Sequence, residues 1–260
     1  MTIEGRTESA ANIALRAHMT KQEFVASPYV LTGWTKLTSL DTPVNVYIEG
    51  DGLAWLSKSE PSGNPTPKNP VALTLAAQDP SPNVVYLARP CQYTPFDRLG
   101  NRCQTLDWTS HRFSNATVDS YQQVLDQIKE EVSSNGFNLI GYSGGGNIAG
   151  LLASRRQDIL SLRTVAGNVD NNAFTKFHGV SSMPDSLHMA DVVEQIATIP
   201  QIHFVGEKDP IIPRSLAEGL KQKAPLQNCI QIQVVKDNTH MDGWEENWLR
   251  LLGVPFACSP

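Results

Sequence analysis

The stretch Phe137-Asn138-Leu139-Ile140-Gly141-Tyr142-Ser143-Gly144-Gly145-Gly146-Asn147-Ile148-Ala149-Gly150-Leu151-Leu152 decides the reading of this chain. Its first six residues read as a buried strand, and a helix is expected over 145–155. Between them, residues 141–145 match G-x-S-x-G with a strand before and a helix after. The spacing has a steric reason. A tight strand-to-helix turn leaves room only for very small neighbours, and Gly141, Gly144, Gly145 and Gly146 supply them. Such a turn lifts the Ser143 hydroxyl off the sheet and sets it at a helix N-terminus, where free backbone N–H groups and the positive dipole end favour a developing anion. A phosphate-binding loop would need Gly-Lys-Ser/Thr, and no Lys is present. A dinucleotide fingerprint belongs to the first strand–helix unit of its domain, whereas this turn lies mid-chain.

Outward from this turn, apolar runs alternate with helical patterns. Strands are expected within 24–38 (one or two), at 44–48, 84–88, 137–142, 162–166 and 202–206, and last at 230–235. Helices are expected at 8–18, 70–77, 117–134 (capped by Asn115 or Thr117), 145–155, 213–223 and 244–252. Residues 57–70, rich in Ser, Pro, Gly and Asn, read as a surface loop, and 90–115 as a long irregular connection. Residues 168–198 read as irregular with one short helix near 189–197, the best place for a small cap. Alternating strands and helices imply an α/β fold with a mostly parallel sheet covered on both faces.

A serine hydroxyl is a weak nucleophile until a base takes its proton. His240, in Asn238-Thr239-His240-Met241-Asp242, follows the last strand. Asp209, in Gly206-Glu207-Lys208-Asp209, follows the strand before it. Both would stand at the carboxyl edge of the sheet beside Ser143. Glu207 and Asp242 are the nearest substitutes for the acid. His203 lies within a strand and reads as packed; His111, His178 and His188 fall in irregular segments. An oxyanion would rest on the N–H of Gly144 and on a second N–H from the loop Glu49-Gly50-Asp51-Gly52, Asp51 first and Gly52 next. Arg89, Gln92, Tyr93, Tyr142, Asn168 and Asp170 could line a pocket, each equally open to a structural role.

Composition bounds the rest. With 260 residues the chain suits one large domain. Ile3-Glu4-Gly5-Arg6 matches a factor Xa cleavage site, so residues 1–6 are set aside as an expression remnant that replaced the native start and any targeting signal; residues 7–260 form the expected domain. The net charge is -5 with no Lys/Arg block, which gives no footprint for nucleic acid. No apolar run approaches the roughly 20 residues of a spanning helix, leaving membrane anchoring only to a removed N-terminus. No CxxC or His pair suggests a metal, and neither metal nor organic cofactor is expected. Cys91, Cys103, Cys229 and Cys258 fit either four buried thiols or at least one disulfide, Cys91–Cys103 first. The even count and the replaced start favour the disulfide, and with it a periplasmic or exported protein over a cytoplasmic one. The oligomeric state is open.

These residues make the chain resemble the α/β-hydrolase superfamily over most of 44–252. Tyr47-Ile48-Glu49-Gly50-Asp51-Gly52, Arg89-Pro90-Cys91-Gln92-Tyr93 and Gly167-Asn168-Val169-Asp170 further resemble small bacterial hydrolases that are exported or lipid-anchored. The resemblance implies a serine hydrolase that cleaves an ester, thioester or amide of a small acyl substrate through an acyl-enzyme, a carboxylic ester foremost. The alternatives are a serine peptidase, an acyltransferase or a non-catalytic binding module on the same fold. The His-Gly-Gly-Gly loop of lipases is absent, and Glu49 and Asp51 place acids near the expected oxyanion hole.

Overall fold

The computed structural model describes residues 1–258. Among them run β1 (Thr20–Ala26), β2 (Tyr29–Leu37), β3 (Val44–Ile48), β4 (Asn83–Leu87), β5 (Phe137–Tyr142), β6 (Ile159–Val165), β7 (Gln201–Gly206) and β8 (Ile230–Val235). The helices are α1 (Ile3–Arg16), α2 (Val71–Ala76), α3 (Thr105–Trp108), α4 (Asn115–Val132), α5 (Gly144–Ala153), α6 (Asn171–His178), α7 (Val193–Ile196), α8 (Arg214–Lys223) and α9 (Trp244–Leu252). One sheet holds every strand in the order β1-β2-β4-β3-β5-β6-β7-β8. β2 runs antiparallel to β1 and β4, and every pairing from β4 through β8 is parallel.

β3, β4, β5 and β7 are buried along nearly their whole length, with both faces covered, which is why they read as near-continuous apolar runs, whereas the edge strands β1 and β8 are partly exposed. The side chains still alternate. Val44, Val46, Ile48, Val85, Leu87 and Leu139 join Val118, Tyr121, Leu125, Ile148, Leu152 and Leu216 in one core, beneath α4, α5 and α8. Tyr47, Val84, Tyr86, Ile140 and Phe204 join Ala10, Val71, Leu73, Trp244 and Trp248 in the other, beneath α1, α2 and α9. Leaving β3 the chain steps outward to β4 and then returns across β3 to β5. Strand order reverses there, and the carboxyl ends of β3 and β5 open the crevice in which such sheets bind ligands.

Local chemistry sets the element ends. Ser114 caps α4 by accepting from the Thr117 amide at 3.3 Å, one residue before the expected Asn115. Helix α1 starts at Ile3, inside the stretch set aside as a remnant; Thr2 caps it, and Arg6 Nη1 reaches the Thr66 carbonyl at 2.9 Å. Within 168–198 the structure has α6 in addition to the short helix expected near 189–197. Asp170 nucleates it by accepting from the Ala173 amide at 2.9 Å, and Gly179, at φ 61°, ends it. Both disulfides join loops: Cys91–Cys103, as the sequence placed first, and Cys229–Cys258.

Candidate active site

The turn after β5 holds Ser143 at φ 49° and ψ -120°, a region that costs a non-glycine residue about 1–3 kcal/mol. Its neighbours over-determine it. The Ser143 amide donates to the Val165 carbonyl at 3.0 Å, and its carbonyl accepts from the amides of Gly146 at 3.0 Å and Asn168 at 2.9 Å. A Cβ on Gly145 would stand 2.2 Å from the Ile48 carbonyl oxygen, and one on Gly141 would stand 2.4 Å from that of Gly145. The glycines therefore let α5 start directly against β3. Ser143 makes no capping bond to its own helix, which leaves the hydroxyl to the cleft.

Two later loops meet it. Ser143 Oγ lies 3.0 Å from His240 Nε2, and His240 Nδ1 lies 2.9 Å from Asp209 Oδ2. The other Asp209 oxygen accepts the amides of Ile211 and Ile212 at 2.8 and 2.9 Å. A carboxylate in that setting only accepts, so the proton of a neutral His240 belongs on Nδ1 and Nε2 faces the serine as an acceptor. The Asp209 side chain is fully buried, whereas the ring of His240 keeps 11% exposure. The loops are registered on one another: the Lys208 amide donates to the Asn238 carbonyl at 2.9 Å, and a Cβ on Gly206 would stand 2.6 Å from that same oxygen. Three of the other histidines are engaged elsewhere. His178 Nε2 contacts the Ile211 carbonyl, His111 pairs with Ser110 and Asp185, and buried His203 meets Thr164.

The loop after β3 passes over the serine, for a Cβ on Gly50 would stand 3.2 Å from that of Ser143. Glu49 turns inward, and its Oε1 takes the Gly50 amide at 2.9 Å. The amides of Asp51 and Gly52 are the next along the loop, and the Asp51 carboxylate lies beside Gly144, where a Cβ would stand 2.1 Å from its Oδ1. Burial raises the Glu49 carboxyl to about 7, opposed by the backbone amides of Gly50 and Ala72 and by the Tyr86 hydroxyl. Gln92 ties the loop down: its Nε2 donates to the Gly50 carbonyl at 3.1 Å and its Oε1 accepts the Arg89 amide at 3.0 Å. Gly52, at φ 64°, has no room for a side chain, since a Cβ would stand 2.1 Å from the Pro65 carbonyl.

The other candidate lining residues divide. Tyr142 packs on the His240 ring, centroids 5.4 Å apart, and Asn168 holds the turn through its amide. Tyr93 packs edge-on against Trp34. Asp170 is occupied by the cap of α6 and by Lys223 at 2.7 Å. Sequence reasoning missed Arg112, which lies 3.0 Å from Asp51. It sits in an irregular segment with no periodicity, and only the fold brings it to the loop after β3.

The reversal of strand order, the turn after β5 and the loops after β7 and β8 define an α/β hydrolase, and solved structures agree on the fold. An alpha-beta serine hydrolase homologue from Coxiella burnetii is 14% identical with a TM-score of 0.59, covering 89% of this chain and 93% of that one. The Pyrococcus furiosus esterase Pf2001 is 15% identical with a TM-score of 0.62, covering 90% of each chain. Est1E from Butyrivibrio proteoclasticus is 13% identical with a TM-score of 0.62, covering 89% of this chain and 95% of its own. The chain belongs to the family described as Serine hydrolase (FSH1), whose model matches residues 78–234. No curated protein matches the sequence significantly.

Proposed function

We propose that the protein hydrolyses a carboxylic ester of a small acyl substrate through an acyl-enzyme, with Ser143 as nucleophile, His240 as base and Asp209 as the group that orients the imidazole. The observation that carries this reading is the continuous relay from Ser143 Oγ to His240 Nε2 at 3.0 Å and from His240 Nδ1 to Asp209 Oδ2 at 2.9 Å. His240 takes the hydroxyl proton as Ser143 Oγ attacks the carbonyl carbon, and returns it to the leaving alcohol. Water, deprotonated by the same nitrogen, then releases the acid and restores the serine. The amides of Gly144 and of Asp51, with Gly52 next, receive the oxyanion. Membership of a serine hydrolase family supports acyl-enzyme hydrolysis, and the ester is chosen among acyl compounds because one protein of the same fold is described as an esterase and another is named Est1E.

A site outside the cytoplasm fits the same chain. Both disulfides point to an oxidising compartment. Among the described residues no helix is long and apolar enough to cross a membrane.

The test is covalent labelling with a serine-directed fluorophosphonate, followed by turnover of short p-nitrophenyl esters. Ser143→Ala should abolish both while circular dichroism stays unchanged. Labelling that persists in the variant would place the nucleophile elsewhere.

A further inference from the structure

The loop over Ser143 carries a carboxylate that two cations answer. Asp51 Oδ1 pairs with Arg89 Nη1 at 2.9 Å, and Asp51 Oδ2 lies 3.0 Å from Arg112 Nε. The arginine side chains keep only 5% and 7% exposure, less than the acid's 24%. Both guanidiniums flank the buried ring of Phe113, at 5.0 and 5.2 Å from its centroid. Their hydrogen-bonding capacity is not filled. Arg89 Nη2 reaches the Arg112 carbonyl, but the Nε atoms of both are buried without an aligned acceptor, Arg112 Nε despite its closeness to Asp51. Arg112 Nη1 has only the Thr109 carbonyl, at the long distance of 3.5 Å.

The neighbouring acids do not supply the missing charge. Asp107 is held by Tyr29, Arg102 and the Gln104 amide. Glu49 turns to Gly50 and Tyr86. The cluster thus carries one positive charge beyond its counterion, in a setting where an unanswered buried ion is strongly unfavourable. Burial holds Arg112 below the usual guanidinium range, with Asp51 opposing and Arg89 adding to the effect.

Arg89 and Arg112, with Asp51, Asp107, Gln92 and Trp108, line a narrow cleft with room for a group the size of a water, and the Asp107 charge there is answered by Arg102 at 2.9 Å. It adjoins the reacting centre: a Cβ on Gly144 would stand 2.1 Å from Asp51 Oδ1 and 3.1 Å from Arg89 Nη1. We propose that Arg112 and Arg89 form a subsite for a carboxylate carried by the substrate, so that the preferred esters are half-esters of short dicarboxylic acids. A charge-assisted hydrogen bond from a guanidinium to a carboxylate is stronger than one to a neutral group, and a cleft this narrow admits one carboxylate oxygen more readily than a tetrahedral phosphate. The closeness to Gly144 calls for a short spacer, as in succinyl or glutaryl esters. The assignment rests on Ser143 being the nucleophile, and binding can be tested apart from turnover.

Two measurements decide it. Glutarate is titrated calorimetrically into Ser143→Ala, and hydrolysis of monomethyl glutarate is compared with that of methyl pentanoate by chromatography. The subsite predicts saturable glutarate binding, and a kcat/KM at least about tenfold higher for the acid-bearing ester. Arg112→Gln and Arg112→Met, each checked by thermal melting, should bring that ratio close to one. Glutarate should also protect the unmodified protein from phosphonate labelling, which decides the matter even if both variants fail to fold. No glutarate binding, or equal turnover of the two esters, would overturn the subsite and leave the hydrolase reading intact. Glutarate binding without hydrolysis of any ester would sink the hydrolase reading and leave the subsite standing.

Discussion

The Tyr142 hydroxyl donates to the His240 carbonyl at 3.2 Å, tying the residue before the serine to the loop that brings the imidazole. Trp244 Nε1 donates to the same oxygen at 3.0 Å, so the histidine backbone is anchored from both β5 and α9. Burial holds the Tyr142 phenol well above its usual range, so it remains a donor wherever the protein is folded. Tyr142→Phe deletes one anchor and little volume. Urea denaturation should show a loss of about 1 kcal/mol. Stability equal to that of the parent protein would mean that the Trp244 bond alone suffices.

Asp209→Asn tests the orienting role. An amide at this position offers His240 Nδ1 a donor where it now has an acceptor, favouring the tautomer with its proton on Nε2. The kcat for a short ester should fall by about 10⁴-fold, with a far smaller change in KM. A fall of only a few-fold would point to Glu207 or Asp242 as the working acid.

Two buried groups pull the pH dependence of stability in opposite directions. Burial lowers His203 to about 4, so the unfolded chain binds the proton more readily and stability falls as pH drops from 6.5 towards 4. Burial raises Glu49 from 4.5 to about 7, so the folded chain binds the proton more readily and stability falls as pH rises from 4.5 towards 7. Each slope is at most about 1.4 kcal/mol per pH unit. Between about pH 4.5 and 6.5 the two offset one another. Glu49→Gln should unmask a stability that climbs with pH across that window, and His203→Gln one that declines. Urea midpoints at several pH values measure both, and parallel profiles for the two variants would refute the assignment.

Thiol titration in guanidinium without reductant should find no free cysteine, and with reductant all four. Each disulfide closes a loop, with separations of 12 and 29 residues, whose cross-link contributes about 3 kcal/mol on loop entropy. Reduction should therefore lower the melting temperature well below that of the oxidised protein. Cys91 lies between Arg89 and Gln92, which bind Asp51 and the Gly50 carbonyl, so the Cys91→Ser, Cys103→Ser double variant should also lose activity at temperatures where it remains folded. Full activity in that variant would show that the bridge stabilises without positioning the loop.

Much of this molecule is local and was legible in the residues. The turn at 141–145 needs small neighbours, β3 through β7 each need an apolar run, β8 needs its alternation, and α4 needs its 3.6-residue period, so each announced itself within a short window. The chain order of Ser143, Asp209 and His240 followed from which strands precede them. What failed locally failed for local reasons: Ser114 and Asn115 both make acceptable caps, and α6 is too short for a clear period.

Sequence by itself settled the strands, the longer helices and which serine the glycines expose, because those outcomes depend on neighbours within a turn or a pleat; the short helices α3 and α6, in stretches read as irregular, escaped it. Tertiary structure alone decided which side chains meet across the sheet. The approach of Arg112 to Asp51, the bond from Tyr142 to His240 and the pairing of Cys229 with Cys258 join residues far apart along the chain. Such contacts arise from how separate layers pack, and no periodicity along a single segment encodes them.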